Sequence, residues 1–188
     1  TSLSLVLFLS LSLSLSLSLY GGPAKIISLP LGMKNKPNKI YYEGMQKYAG
    51  VTKKKLLIIN NSGWKHREHV NALVAAKFPY LRDTGNVYAV GKDKSKSKKD
   101  YYEQLAEAKF VLCPSGMGYD TYRHWEVLLM GAIPVFESSP GWDRTFYKLP
   151  VVIVKDFNDV TPELLEEKYI QFTSNIDAFD FTRLKKAY

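Results

Sequence analysis

Residues 113–137 read CPSGMGYDTYRHWEVLLMGAIPVFE. Gly116 and Gly118 come first, then an Asp120-Thr121 step, then Arg123 and Glu126 one helical turn apart, all between two apolar runs. Two glycines so close allow a tight turn with backbone N–H groups pointing outward. Asp120 or Thr121 can cap a helix that starts there. Its N-terminus offers unpaired amides and about half a positive charge to a nearby phosphate. On that helix Tyr122, Trp125, Leu128 and Leu129 form an apolar stripe, with Arg123 and Glu126 together on its flank. One account of the pair is an i, i+3 contact of about 0.2–0.5 kcal/mol. The other divides the labour: Arg123 neutralises a diphosphate held by the glycine turn, and Glu126 accepts hydrogen bonds from the ribose hydroxyls. A carboxylate suits vicinal hydroxyls because both of its oxygens accept.

Other reactive side chains have plainer roles. Cys113, the single cysteine, precedes Pro114 at a buried strand end and reads as packing rather than as a nucleophile. It also excludes an internal disulfide. His66 and His69 stand at i, i+3 without an acidic ligand at metal-site spacing, so no metal site and no cofactor are expected. Asn60, Asn61 and Ser62 end a strand and reach the rim of the glycine loop, where a turn role competes with donor contact. They also spell a glycosylation sequon whose strand-end position argues against modification. His66 and Arg67 open the next helix and could add charge near a phosphate, although a solvated first turn is the simpler reading. Asp120, Glu137 and Asp143 are available carboxylates that serve equally well as cap, strand-end and turn residues. The catalytic base is unknown from the sequence.

The elements that position these residues alternate. KLLIINNS reads as a buried strand and HREHVNALVAAKF as a helix with Val70, Leu73, Val74 and Phe78 at helical spacing. Strand NVYAVG, helix KKDYYEQLAEA and strand KFVLCP follow. After the helix of the opening motif come strand IPVFE, the turn-rich SSPGWDRTFYKLP, strand VVIVKDF, and helix TPELLEEKYIQF with Thr161 as N-cap and Pro162 at its first position. An earlier extended segment is expected over residues 24–32. Such alternation predicts an α/β fold, a Rossmann-like parallel sheet with helices on both faces. Ligands bind beyond the carboxyl ends of such strands, where the loop after KFVLCP must lie.

The chain of 188 residues is 46% hydrophobic and 13% aromatic, enough to bury one domain core. Its charge of +8 gathers in Lys53–Lys55 and in the run KDKSKSKK at 92–99. The runs contain no aromatic residue on which a base could stack. They read as solvated loops, with anionic substrates, acidic membranes and nucleic acid as the other partners for such charge.

From Leu3 to Leu19 every odd position is Leu and nearly every even one Ser. A CT dinucleotide repeat read in triplets gives this alternation, so a translated repeat is expected. A signal anchor is the rival, since about 20 uncharged residues reach across a membrane. Against an anchor stand the lack of a positive leading segment and the Ser content. The chain opens on Thr rather than Met, from which a fragment is expected.

The stretch FVLCPSGMGYDTYRHWEVLLMGAIPVF resembles the carboxyl-terminal, donor-binding half of exostosin-like glycosyltransferases: a strand ending in CP, a glycine loop, an Arg, a Glu one turn later, then G-x-I-P-V. LPVVIVKDFNDVTPELLEE continues the similarity. The resemblance implies a GT-B architecture, two Rossmann-like domains facing a cleft, the second of which binds a nucleotide sugar, typically UDP-linked. Arg123 matches the phosphate-side Arg and Glu126 the ribose-side Glu, while Ser115, Gly116 and Gly118 match the loop at the diphosphate. Asp120 and Thr121 fall within the same donor site. A glycan or glycoprotein acceptor and a Golgi or other secretory-pathway membrane setting are implied, with either a missing or an N-terminal anchor as the means of membrane attachment. Residues 1–22 are then the Leu/Ser segment, 23–170 the nucleotide-sugar domain, and 171–188 a partly helical tail. Compared with the family pattern the acceptor domain, the usual source of the base, is expected to be lacking.

Two other classes stay open. A non-catalytic nucleotide or sugar-binding module would use the same loop. A basic nucleic-acid-binding domain would show steep salt dependence, but the basic runs supply neither a recognition helix nor stacking aromatics. The repeat itself makes a prediction: deleting residues 1–20 leaves the melting temperature of the remainder nearly unchanged, because the run offers a core no varied side chains. A large loss in a thermal melt would identify it as a packed element.

Overall fold

A computed structural model describes residues 47–48, 50–61, 65–83, 87–89 and 98–185. The expected Leu/Ser run, the segment at 24–32, Ser62, most of the 92–99 basic run and residues 186–188 lie outside them. Five strands form one parallel sheet in the order β2-β1-β3-β4-β5. They are β1 (Lys55–Asn61), β2 (Val87–Ala89), β3 (Ala108–Leu112), β4 (Ile133–Glu137) and β5 (Val152–Val154). Helices α1 (Lys65–Ala75) and α2 (Pro79–Asp83) lead from β1 to β2, α3 (Lys98–Glu107) leads to β3, and α4 (Tyr122–Leu129) leads to β4. After β5 come α5 (Pro162–Ser174) and α6 (Thr182–Lys185).

Both faces of the sheet are covered, which is why its strands read as unbroken apolar runs rather than alternating ones. Leu57, Ile59, Phe110, Leu112, Val135 and Val154 face α1 and α5, with Val74, Phe78 and Leu165 opposite them. Ile58, Val111, Cys113 and Phe136 face α3 and α4, with Leu105, Trp125 and Leu128 opposite. Each such fully buried side chain contributes about 1.5–3 kcal/mol of transfer free energy. The strand order places the chain reversal between β1 and β3, and in sheets of this kind the crevice outside the carboxyl ends at that point is where ligands bind.

Three expectations change. The helix anticipated through Phe78 stops at Ala75, and Pro79 opens α2. A proline disfavours helical geometry in the residue before it, so Phe78 cannot continue the turn. On α4 the buried face is His124, Trp125, Val127 and Leu128, while Tyr122 and Leu129 are half-buried. The boundary drawn after residue 170 falls inside α5. The segment beyond it docks on the domain, with Asp180 N donating to Lys148 O at 2.8 Å and Arg183 Nη2 to Thr145 O at 3.2 Å. At the start of α5 the expected cap is present, Thr161 Oγ1 accepting from Leu164 N at 3.2 Å.

Gly131, the glycine of G-x-I-P-V, ends α4. Its φ is +68°, its N–H donates to Leu128 O at 3.0 Å, and Ala132 N donates to Val127 O at 3.0 Å. These paired bonds satisfy carbonyls that the helix leaves open and require a left-handed residue. Gly131→Ala therefore costs about 1 kcal/mol. In a thermal melt that appears as a fall of about 2–4 °C; an unchanged melting temperature would contradict this role.

Candidate functional site

The loop after β3 is held at Ser115. Its N–H donates to both oxygens of Glu137, at 2.9 and 3.3 Å, from the end of β4. Its carbonyl lies 2.8 Å from His66 Nε2 and accepts from Arg67 Nε at 2.8 Å, both from the first turn of α1. Gly116 N donates to Gly118 O at 3.0 Å. The amides of Ser115 and Gly116 are thus engaged within the protein, and the outward cradle of N–H groups expected of this turn is not formed by them. Neither Gly116 nor Gly118 has a positive φ. A Cβ at 116 would stand 2.7 Å from Arg67 Nη2, the far end of a flexible side chain. A Cβ on Gly118 would meet open space.

Arg123 and Glu126 are connected through a third residue. Arg123 Nη1 donates to the carbonyl of Asn60, at the end of β1, and to Tyr101 Oη at 3.3 Å. Tyr101 Oη donates to Glu126 Oε2 at 2.8 Å. The guanidinium also sits over the Tyr101 ring, 5.5 Å from its centroid. Burial, with Glu126 accepting its proton, pushes the Tyr101 phenol well above its ordinary range, so it stays a donor. The phenol fixes both side chains at the mouth of the crevice between β1 and β3.

A buried polar cluster sets the start of α4. Asp120 Oδ1 accepts from Trp125 Nε1 at 3.0 Å and lies 3.6 Å from His124 Nδ1. His124 is fully buried against Phe136 and Phe146. Thr121 N donates to its Nδ1 at 3.2 Å, and its Nε2 lies 3.2 Å from Cys113 O. Thr121 occupies the N-cap with an extended backbone. Asp120 and Thr121 thus lie beneath the crevice and fix the helix that carries Arg123 and Glu126.

The remaining candidates fall into place around this centre. Cys113 is buried, and burial together with Glu126 and Glu137 pushes its thiol to about 12 against the pull of Arg123 and Arg67, so it packs as a neutral thiol. Asn60 donates to Gln104 Oε1 at 2.9 Å, and Asn61 exchanges amide bonds of 2.8 Å with Asn71. Both are buried and tie β1 to its helices, rather than forming an exposed turn or a modifiable sequon. Asp143 accepts from Ser138 Oγ at 2.6 Å and Ser139 N at 2.8 Å, a turn role. Met117, 95% exposed, and Tyr119 stand out from the loop.

Sequence reasoning undervalued Arg67, which is half-buried against the loop instead of solvated, and did not identify Tyr101. A tyrosine in a helix that ends where β3 begins offers a weak signal; its significance appears only when α3 packs beside α4.

Residues 84–178, from just before β2 to the segment after α5, match the model of the RXYLT1 C-terminal domain. That span takes in the loop, Tyr101, Arg123, Glu126 and Glu137, and leaves Asn60, His66 and Arg67 outside. It amounts to half of the chain, and the chain belongs to this family of exostosin-like glycosyltransferases.

Proposed function

We propose that this chain binds a nucleotide-sugar donor, UDP-linked, in the crevice where β1 and β3 end, and that it serves transfer of the sugar to a glycan or glycoprotein acceptor in the Golgi. The observation that carries the reading is the Tyr101 phenol joined to both Arg123 and Glu126, which holds a cation and a carboxylate at one mouth. A diphosphate needs the first and a ribose the second. Both bonds of Arg123 use Nη1, so Nη2 and Nε remain for phosphoryl oxygens in the bidentate geometry that guanidinium suits. Glu126 brings a carboxylate, both of whose oxygens are acceptors of the kind that vicinal hydroxyls suit. Ser115, Gly116 and Gly118 form the wall beside the diphosphate, while Asp120 and Thr121 contribute by fixing the helix rather than by touching the donor.

UDP-hexoses and UDP-pentoses are both donors to test. In a GT-B enzyme the acceptor hydroxyl and its base come from a facing domain. That assignment suits this site, because Asp120, Glu137 and Asp143 each accept a hydrogen bond from the protein's own backbone or side chains.

Arg123→Ala and Glu126→Ala should each weaken UDP binding by about 1.5–3 kcal/mol, roughly ten- to a hundredfold, in calorimetric titrations of folded protein. Tyr101→Phe keeps the ring and removes the hydroxyl, and should cost less, about 0.5–1.5 kcal/mol. Affinity like that of the unmodified chain in both alanine variants would overturn the site.

A further inference from the structure

We infer that Lys53 is a positioning residue for the donor site: its ammonium ties the carboxyl ends of α3 and α4 together and so holds the Tyr101 hydroxyl against Arg123 and Glu126. The inference rests on the nucleotide-sugar reading above and adds a residue from outside the matched span. In the sequence Lys53–Lys55 reads as a solvated basic run, yet in the structure all three lysines are engaged. Lys54 and Lys55 pair with the two oxygens of Glu107, at 3.2 and 3.3 Å, and so contact α3. Lys53 reaches both helices: it is half-buried, and its Nζ donates to Ala106 O at 2.7 Å and to Met130 O at 3.2 Å.

Each helix needs such a donor. α3 passes into β3 without an intervening residue, Glu107 ending the one and Ala108 opening the other, so no turn caps its last carbonyls. Lys54 N donates to Glu107 O at 2.8 Å, and the Lys53 ammonium serves Ala106 O. At the end of α4 the amides of Gly131 and Ala132 return to Leu128 and Val127, and the Met130 carbonyl takes its donor from Lys53. Both carboxyl ends carry partial negative charge, and one cation faces the pair. Burial pulls this ammonium down to about 8, so the contact is made against a desolvation cost. Ala106 lies five residues beyond Tyr101 and Met130 four beyond Glu126, about 7.5 and 6 Å along the helix axes. These are the two helices whose contact brings the Tyr101 hydroxyl within 2.8 Å of Glu126 Oε2 and 3.3 Å of Arg123 Nη1. Met130 N, which donates to Glu126 O at 3.1 Å, links the tied end of α4 to the residue that Tyr101 meets.

The test measures UDP affinity by calorimetry on the full chain, at a temperature where thermal melts show every variant folded. Lys53→Met keeps the length of the side chain without its donors and should weaken UDP about three- to tenfold. Lys53→Arg, which retains charge and donors, should stay within about twofold of the unmodified chain, as should Lys54→Met, which removes an exposed contact to α3. In a Tyr101→Phe background the hydroxyl that Lys53 positions is gone, so there Lys53→Met should weaken UDP by less than about twofold more. A general loosening of the domain would instead lower affinity equally in both backgrounds. That result, a loss in Lys54→Met as large as in Lys53→Met, or no rescue by Lys53→Arg overturns the inference while the donor site stands. The same cycle read as melting temperature needs no nucleotide: the fall caused by Lys53→Met should be smaller in the Tyr101→Phe background, and equal falls overturn the tie. If the unmodified chain binds no UDP, the donor site falls, and the melting cycle decides the tie between α3 and α4 by itself.

Discussion

Ser115 is held through its backbone by three side chains from two elements, and the arrangement of the crevice follows from that. β3 is the central strand, flanked by β1 and β4, and the chain must leave it without stranding polar groups in a buried position. An unpaired buried amide or carbonyl costs about 1–3 kcal/mol. Glu137 at the end of β4 satisfies the amide, and His66 and Arg67 at the start of α1 approach the carbonyl. The loop is therefore referenced to both neighbours of β3. Its glycines do not make it a flexible flap, since neither uses left-handed backbone geometry.

The same bonds gather cations. Arg67 comes to the loop carbonyl and Arg123 to the carbonyl of Asn60, so strand-end oxygens bring two guanidiniums to one crevice. Concentrating like charge in a half-buried place opposes folding, and such conflicts with local stability are expected where a ligand supplies the missing counter-charge. A bound anion would then stabilise the folded chain by mass action. The Tyr101 ring and hydroxyl moderate the conflict on the Arg123 side, and Glu126 completes the relay.

Much of this architecture was legible from the sequence because its signals are local. β1, β3, β4 and β5 announce themselves as largely apolar, buried runs, and α5 by Thr161 and Pro162 at its start. The break between α1 and α2 was also written there, in Pro79, but the apolar spacing across Phe78 obscured it. Arg123 and Glu126 were legible as a pair on one helix flank. Their connection was not, because Tyr101 comes from another helix and its hydroxyl meets them only after α3 and α4 pack on the same face. Arg67 looked like a solvated first-turn residue for a similar reason: what buries it is a loop 48 residues away along the chain. Glycine in a turn suggests backbone freedom, which residue 116 does not use, and only the packed structure shows the Arg67 guanidinium beside it.

The polar cluster beneath α4 acts on the site through register. Arg123 and Glu126 reach their partners only if the helix begins at one residue, since a slip by one position turns every side chain by about 100°. An amphipathic stripe alone tolerates such a slip when neighbouring positions are also apolar, as Trp125, Val127, Leu128 and Leu129 are. Asp120, Thr121 and His124 remove the ambiguity. The indole N–H of Trp125 must find Asp120, and the His124 ring must accept from Thr121 N on one side while facing Cys113 O on the other. A shifted helix would leave these buried groups unsatisfied, a larger cost than apolar repacking imposes. A buried histidine wedged between Phe136 and Phe146 thus contributes to function without reaching the crevice: it sets the angle at which Arg123 meets the end of β1 and Glu126 meets Tyr101.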